Sequence, residues 1–347
     1  MWFEALAGFR EKSSEQVRKN ISVNGQTLKS HINGREFIYG SLETPSLAEL
    51  RSRIQDIGIG TEKISISEVV ANVQELHSDE SNSNSLFQVA SQFNLLEMVS
   101  PDVTPENGVD RYEYDHTQGP ACAIAAGAGT IYRNYFAKVN GQIGQTVDNQ
   151  IDCLFDIGKA LENSDNRLWL MKNGYALASE EGLQEITKKI KSASESEIDK
   201  LRGLLRVGIQ WNTEVTISDT KHTVSQAYCS ALPIAYSHCS SELWSEFAQL
   251  ILEASYEATF CVGILNFLKT GNNKVYLTLL GGGAFGNKIE WIISAINRSL
   301  NLYKHFELDV IIVSYGYSKS HVQELIHQFK TTNGTKSKKL NIKNHCT

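Results

Sequence analysis

From about residue 64 to residue 315 the chain keeps one rhythm: short β-branched or apolar runs separated by helix-length amphipathic segments. Strands of this kind need cover on both faces, which points to an α/β fold, a mixed sheet flanked by helices on both faces. Strand candidates lie at 86–93, 205–210, 223–231, 275–280 and 308–315, the last two almost unbroken apolar runs. Helices are expected at 120–136, with Pro120 in the first turn, and at 287–300. The stretch 244–268 sets Phe247, Leu250, Ile251, Ala254, Ala258, Cys261 and Leu265 on one sustained face, as a buried helix does.

Around this core, residues 1–60 read as an N-terminal extension packed on it, with strand alternation at 35–39 and helical character at 46–57. Residues 61–331 make the core itself, with a helical insertion at about 140–205. Leu183, Ile186, Ile190, Ile198, Leu201 and Leu205 carry the helical spacing there. Residues 332–347 read as a basic flexible tail. Lys plus Arg number 33 against 39 Asp plus Glu, so no basic excess marks a nucleic-acid surface. The uncharged stretch 117–132 is too short and polar to span a bilayer, no apolar leader follows Met1, and six scattered cysteines form no CxxC pair. A cytoplasmic protein without a membrane partner is expected.

The sharpest local feature is Gly281-Gly282-Gly283-Ala284-Phe285-Gly286-Asn287, between a strand and a helix. Bare backbone lets several N–H groups converge on an anion beside a helix start, and a diphosphate is the natural occupant. A tight packing turn is the plainer reading, but three consecutive glycines exceed what a turn requires. Gly281, Gly283 and Gly286 also satisfy G-x-G-x-x-G, the dinucleotide fingerprint. That motif opens its domain and wants an acid at the end of the next strand. Here only about sixty residues follow, and the strand ends in Val313-Ser314-Tyr315.

Between the strand at 86–93 and Pro120 lie Glu97, Asp102, Glu106, Asp110, Glu113 and Asp115 against the single base Arg111. A solvated acidic loop would not also hold Leu95, Leu96, Met98, Val99, Tyr112 and Tyr114. A divalent-metal site is a second reading, but no EF-hand spacing is present, and no metal or other cofactor is expected. Loops at the carboxyl ends of sheet strands gather over one crevice. A glycine loop and an acid loop that meet there suit a ligand with a central diphosphate, a distal ribose and a cationic appendage. ADP-ribose joined to an arginine side chain is such a ligand.

At these residues the sequence resembles the macrodomain superfamily, in particular its poly(ADP-ribose) glycohydrolase-like branch. The run Phe87-Gln88-Val89-Ala90-Ser91-Gln92-Phe93-Asn94 looks like the family's strand leading to the ribose-side loop, and 281–286 like its second phosphate loop. A group of macrodomain hydrolases that includes a bacterial effector removing ADP-ribose from an arginine of ubiquitin is similar over about residues 8–316, most specifically at 91–120. The resemblance implies cleavage of the bond between ADP-ribose and a protein side chain, with arginine as the acceptor and ubiquitin as an admissible carrier. It implies functional aspartates at Asp102, Asp110 and Asp115, adenine-side aromatics at Phe37 and Tyr39 with Val70 completing that pocket, Asn94 at the ribose-side loop, and Phe285 on the ribose beside the diphosphate. The paired-Glu signature of polymer-cleaving members is missing from the first loop.

Two other classes stay open on the sequence: a reader that binds ADP-ribose without cutting it, and a nicotinamide-dependent oxidoreductase. His77, His116, His222 and His238 have no metal-ligand spacing, Ser230 lacks the flanking glycines of a nucleophile elbow, and Cys122 among so many acids is a poor thiolate.

Overall fold

The computed structural model describes residues 1–57 and 63–342. Its centre is a seven-stranded mixed sheet. In chain order the strands are β1 (Ser41–Glu43), β2 (Ser65–Val70), β3 (Leu86–Ala90), β4 (Gly208–Glu214), β5 (Thr223–Cys229), β6 (Lys274–Leu277) and β7 (Asp309–Ser314). They lie side by side as β1-β4-β5-β3-β6-β7-β2. β5, β3, β6, β7 and β2 run parallel, β4 pairs antiparallel with β5, and the edge strand β1 pairs antiparallel with β4 and so runs with the five. Six of the seven strands therefore end on the same side.

Helices cover both faces, as the sequence pattern requires. On one, the 30-residue helix Ser241–Thr270 packs against β3, β5 and β6 and is surrounded by Leu47–Ile54, Glu180–Ser192 and Ile289–Leu302. By length and hydropathy it could cross a membrane, yet 83% of its most apolar window is buried inside the fold. It is the core helix. On the other face the expected helix at 120–136 is two, Gln118–Ala125 and Gly127–Tyr135, broken at Ala126 (φ −115°, ψ 57°). The hydroxyl of Thr216 accepts the Gly127 N–H and restarts the helix. A Cβ at Gly129 would stand 2.8 Å from Gln210, so glycine there permits close helix-on-sheet packing.

Several boundaries differ from the sequence reading. β3 is buried along Leu86–Val89, but β7 shows alternation, with Ile311 and Val313 only half-buried because it lies one place from the sheet edge. The insertion is not wholly helical: it holds the hairpins Lys138–Val139/Gln142–Ile143 and Trp169–Lys172/Tyr175–Ala178. Its long helix is split at Ala193, and Ser194 caps the second piece through a capping box with Glu197. The tail expected to fray is helical within Ser320–Ile342. The expected boundary at residues 60–61 and the chain end at 343–347 lie outside the described residues.

The N-terminal layer has its own core. Helices Trp2–Ala7 and Ser14–Asn20 and the three-stranded sheet Ile21–Asn24, Thr27–Ser30, Glu36–Ile38 bury Phe3, Leu6, Val17, Leu28 and Phe37. That cluster is completed by Leu96, Met98, Val109 and Tyr112 of the acid-rich loop and by Ile124, Ala128, Ile131 and Tyr135 behind it. The layer is also not separate from the main sheet, since β1 belongs to that sheet.

The helices around Ser241–Thr270 are cross-braced by charge. Buried Glu257 accepts hydrogen bonds from Arg51 Nε (2.5 Å) and Arg298 Nη1 (2.5 Å), and Arg51 grips Asp199 with both terminal nitrogens at 2.9 Å. Burial alone would raise the Glu257 pKa, but the two guanidinium groups outweigh it and hold the carboxyl below its usual value. Stability from such a group is present above the unfolded pKa and is lost as pH falls through the folded one. Glu257→Gln is therefore expected to cost about 2–3 kcal/mol at pH 7. In urea titrations that deficit should narrow as pH drops below the ordinary carboxylate range.

Candidate active site

The parallel strands deliver their following loops to one cavity of about 940 Å³. Ala71–Gln74 follow β2, Ala90–Gln92 end β3, Ala231 follows β5, 278–285 follow β6, and Val313–Tyr315 end β7. The crevice at the carboxyl ends of an open sheet is where such folds bind ligands.

One wall is the glycine loop. Gly281 and Gly286 take φ +73°, and a Cβ at Gly281 would meet Ala231 Cβ at 2.4 Å, so two turns can close only with glycine. Three amides are spent inside the loop: Gly282 on Leu279 O, Gly286 on Gly283 O and Asn287 on Gly281 O. Among the described residues, the N–H groups of Gly283, Ala284 and Phe285 find no protein acceptor. Consecutive unspent amides before the helix Ile289–Leu302 are what an anion nest requires. Asn287 fastens the loop from below, its Nδ2 donating to Leu232 O at 2.9 Å. Phe285 joins Tyr175 and Tyr236 in an aromatic trio with ring centroids 5.1–5.8 Å apart, all three facing the cavity.

Another part of the lining is acidic. Glu97, Glu113 and Asp115 border the cavity. Leu96 and Met98 on either side of Glu97 are buried in the N-terminal core, so the carboxyl between them is carried inward and is only 3% exposed. Tyr112 Oη accepts the Glu97 N–H at 2.9 Å, and Glu97 Oε1 has no hydrogen-bond partner among the described residues. A Cβ at Gly119 would lie 2.3 Å from Glu97 Oε2 and 2.0 Å from Ala90 O, so the helix Gln118–Ala125 can start there only because residue 119 is glycine. Burial drives the Glu97 pKa well above the ordinary carboxylate value. The Arg133 guanidinium pulls the other way and the Asp115 charge adds to the rise. Arg133 is itself fully buried, bonded to Leu95 O and stacked 3.7 Å above the Tyr228 ring. Asp115 is half-buried, and its Oδ1 accepts the Thr117 N–H at 2.9 Å.

Not every residue singled out in the sequence reaches this cavity. Gly281, Gly282, Gly283, Ala284, Phe285, Asn287 and Asp115 border it; Gly286 turns away behind the loop against Ala235. Asp102 is exposed and paired with Lys172, because its loop bends outward toward the insertion. Asp110 is buried beside the cavity wall rather than in it, where its N–H donates to Glu11 and burial raises its carboxyl pKa. Phe37 and Tyr39 lie in the N-terminal core, with Tyr39 stacked on Tyr132 at 3.9 Å and its hydroxyl bonded to Gly25 O. They are packing residues here and not an adenine wall. Val70 is exposed at the end of β2, one residue before the lining begins. Asn94 is fully buried and braces the loop, donating to Gln150 Oε1 and accepting from Leu96 N. Cys122 is buried with its thiol pKa pushed well up by desolvation, so it is no thiolate.

The sequence reading missed Glu97 as a special acid, together with Trp2, Tyr112, Gln118, Tyr175 and Tyr236. The available signal was an acid set between Leu96 and Met98, both large and apolar.

No family model and no curated protein matches the chain. Solved structures that are similar include a poly(ADP-ribose) glycohydrolase from Thermomonospora curvata, with TM-score 0.45, 9% identity, and coverage of 91% of this chain and 95% of that one. Another is a poly(ADP-ribose) glycohydrolase from Deinococcus radiodurans in complex with ADP-ribose, with TM-score 0.44, 8% identity, and coverage of 93% and 99%. At these values the chain paths are loosely alike and no residue correspondence follows.

The two kinds of glycine in the loop should respond differently to substitution. Gly281→Ala puts a Cβ at positive φ against Ala231 and is expected to destabilise by about 1–2 kcal/mol. Gly283, with no neighbour within 4 Å and no positive φ, should accept alanine within about 0.5 kcal/mol. Equal midpoints in urea for the two variants would refute this account of the loop.

Proposed function

We propose that the chain is an ADP-ribosyl hydrolase, binding ADP-ribose through its diphosphate and cleaving the bond from the anomeric carbon to a modified protein side chain. The observation that carries this reading is the meeting, in one cavity, of the unspent amides of Gly283, Ala284 and Phe285 with the carboxyls of Glu97 and Asp115. The first suits a diphosphate, the second a carbon that develops positive charge. Arginine is the acceptor we favour, on a carrier protein for which the sequence resemblance names ubiquitin, in a cytoplasmic setting.

In the reaction, the bond between the anomeric carbon and the guanidinium nitrogen breaks with its electron pair leaving on nitrogen, and water adds to the carbon. Asp115 stabilises the oxocarbenium-like charge. Glu97 takes the proton released by the water and passes it to the departing guanidine, so no net charge accumulates. A carboxyl with raised proton affinity suits that shuttle. An unpartnered buried carboxyl is a standing cost that ligand binding alone does not require, which favours an enzyme over a reader.

Glu97→Gln should lower kcat at least about 100-fold while the Kd for ADP-ribose stays within about threefold. Asp102→Ala should leave both unchanged. Because Glu97 must be ionised to accept a proton, the wild-type rate should fall as pH drops through a value above the ordinary carboxylate range. Release of ADP-ribose from ADP-ribosyl-arginine peptide is the assay; binding without release would make the chain a reader. Tighter binding of NAD than of ADP-ribose in calorimetry would favour an oxidoreductase.

A further inference from the structure

The cavity is bordered by charges of both signs. Glu97, Glu113 and Asp115 border it from the acid loop, and among the described residues Lys319 is the one Lys or Arg that does so. Lys319 comes from the segment after β7: Glu68 accepts its backbone N–H at 2.9 Å along with the hydroxyls of Ser314 and Ser318, and its ammonium lies 3.3 Å from the centre of the Tyr317 ring. A ligand that fits is therefore anionic toward the glycine loop and Lys319, and cationic toward the acid wall.

Trp2, from the N-terminal layer, also borders the cavity, with its indole held at two points and its backbone at a third. Its Nε1 donates to Val109 O at 3.2 Å, and its backbone N–H donates to Glu113 Oε2 at 3.0 Å. Its six-membered ring lies over Gly127, where a Cβ would come within 2.6 Å of Cζ3. Glu113 Oε2 is also 3.8 Å from the Met1 amino group. The acid wall is thus more than a cluster of like charges. It includes an aromatic residue whose backbone is tied to Glu113, and Glu97, whose buried Oε1 lacks a partner among the described residues and whose carboxyl feels the charge of Asp115.

We infer that Trp2, Glu113 and Asp115 form a subsite for a planar guanidinium, making Trp2 and Glu113 the residues that select an arginine acceptor. This rests on the hydrolase reading and deepens it. A guanidinium stacks on an indole face while its N–H groups fork to carboxylates, a geometry that an ammonium or a neutral acceptor does not reproduce. An ester-linked acceptor carries no cation into this end of the cavity and gains nothing from either residue.

The test compares kcat/KM for an ADP-ribosyl-arginine peptide and for an ester-linked ADP-ribosyl-glutamate peptide, in wild type, Glu113→Gln, Trp2→Ala and Trp2→Phe, with the ADP-ribose Kd measured for each. Glu113→Gln and Trp2→Ala should each lower kcat/KM for the arginine peptide about tenfold, mainly through KM. They should spare the ester peptide and the ADP-ribose Kd, and Trp2→Phe should recover part of the loss. An unchanged ratio between the two substrates, or a parallel fall in both, overturns the subsite and leaves the hydrolase standing. A wild type that binds no ADP-ribose and cleaves neither peptide overturns both. The unaltered ADP-ribose Kd reports that a variant is folded.

Discussion

The site depends on one carboxyl being held buried at the edge of the cavity. Among the described residues Glu97 has no ion pair to make its burial favourable; Arg133 acts on it only through the interior, already engaged with Leu95 and Tyr228. What holds it in place is the hydrophobic burial of its neighbours. Leu96 and Met98 insert into the N-terminal core, and each contributes on the order of 2 kcal/mol when fully buried. The Tyr112 hydroxyl then pins the backbone between them. The cost of an unpartnered acid is thus met by apolar packing on both sides of it, and the N-terminal layer is a component of the site rather than an appendage.

The sheet supplies the second constraint. Parallel strands end together, so the loops after β3 and β6 meet although nearly two hundred residues separate them in sequence. One loop brings backbone donors and the other brings carboxyls. Neither could replace the other, because acids beside the nest would repel an anion and bare amides would not stabilise a cation. Their meeting in one cavity lets a single ligand satisfy both, with the aromatic trio of Tyr175, Tyr236 and Phe285 also bordering it.

Much of the sheet and the glycine loop was legible in the sequence, because both are local: a strand shows in five or six residues, and three glycines in a row announce unusual backbone. The acid loop was legible only as a composition. It has no period, so nothing in its spacing separated Glu97, which is buried, from Asp102, which pairs with Lys172 on the surface. That distinction is made by Phe3, Leu28 and Phe37, about sixty-five residues or more from Asp102 in the chain. Phe37 and Tyr39 illustrate the same limit from the other side. Aromatics two apart do share a strand face, but the pattern is silent on whether that face meets a ligand or a second core. The break at Ala126 was equally hidden, since its cause is a hydroxyl on Thr216.

The insertion ties the acid loop down from outside. Asn94 donates to Gln150, Gln150 donates to Asn173, and Asn173 donates to Pro101 O, a chain of amides from one end of the loop's bend to the other. Gln145 adds bonds to Asn94 O and Arg133 O. Neutral amides satisfy the loop's polar backbone without adding charge near Glu97, and a lysine or arginine in their place would pull its pKa back down. The raised proton affinity of Glu97 therefore follows from its burial first, with the Asp115 charge adding to it and the opposing Arg133 guanidinium already committed to Leu95 and Tyr228.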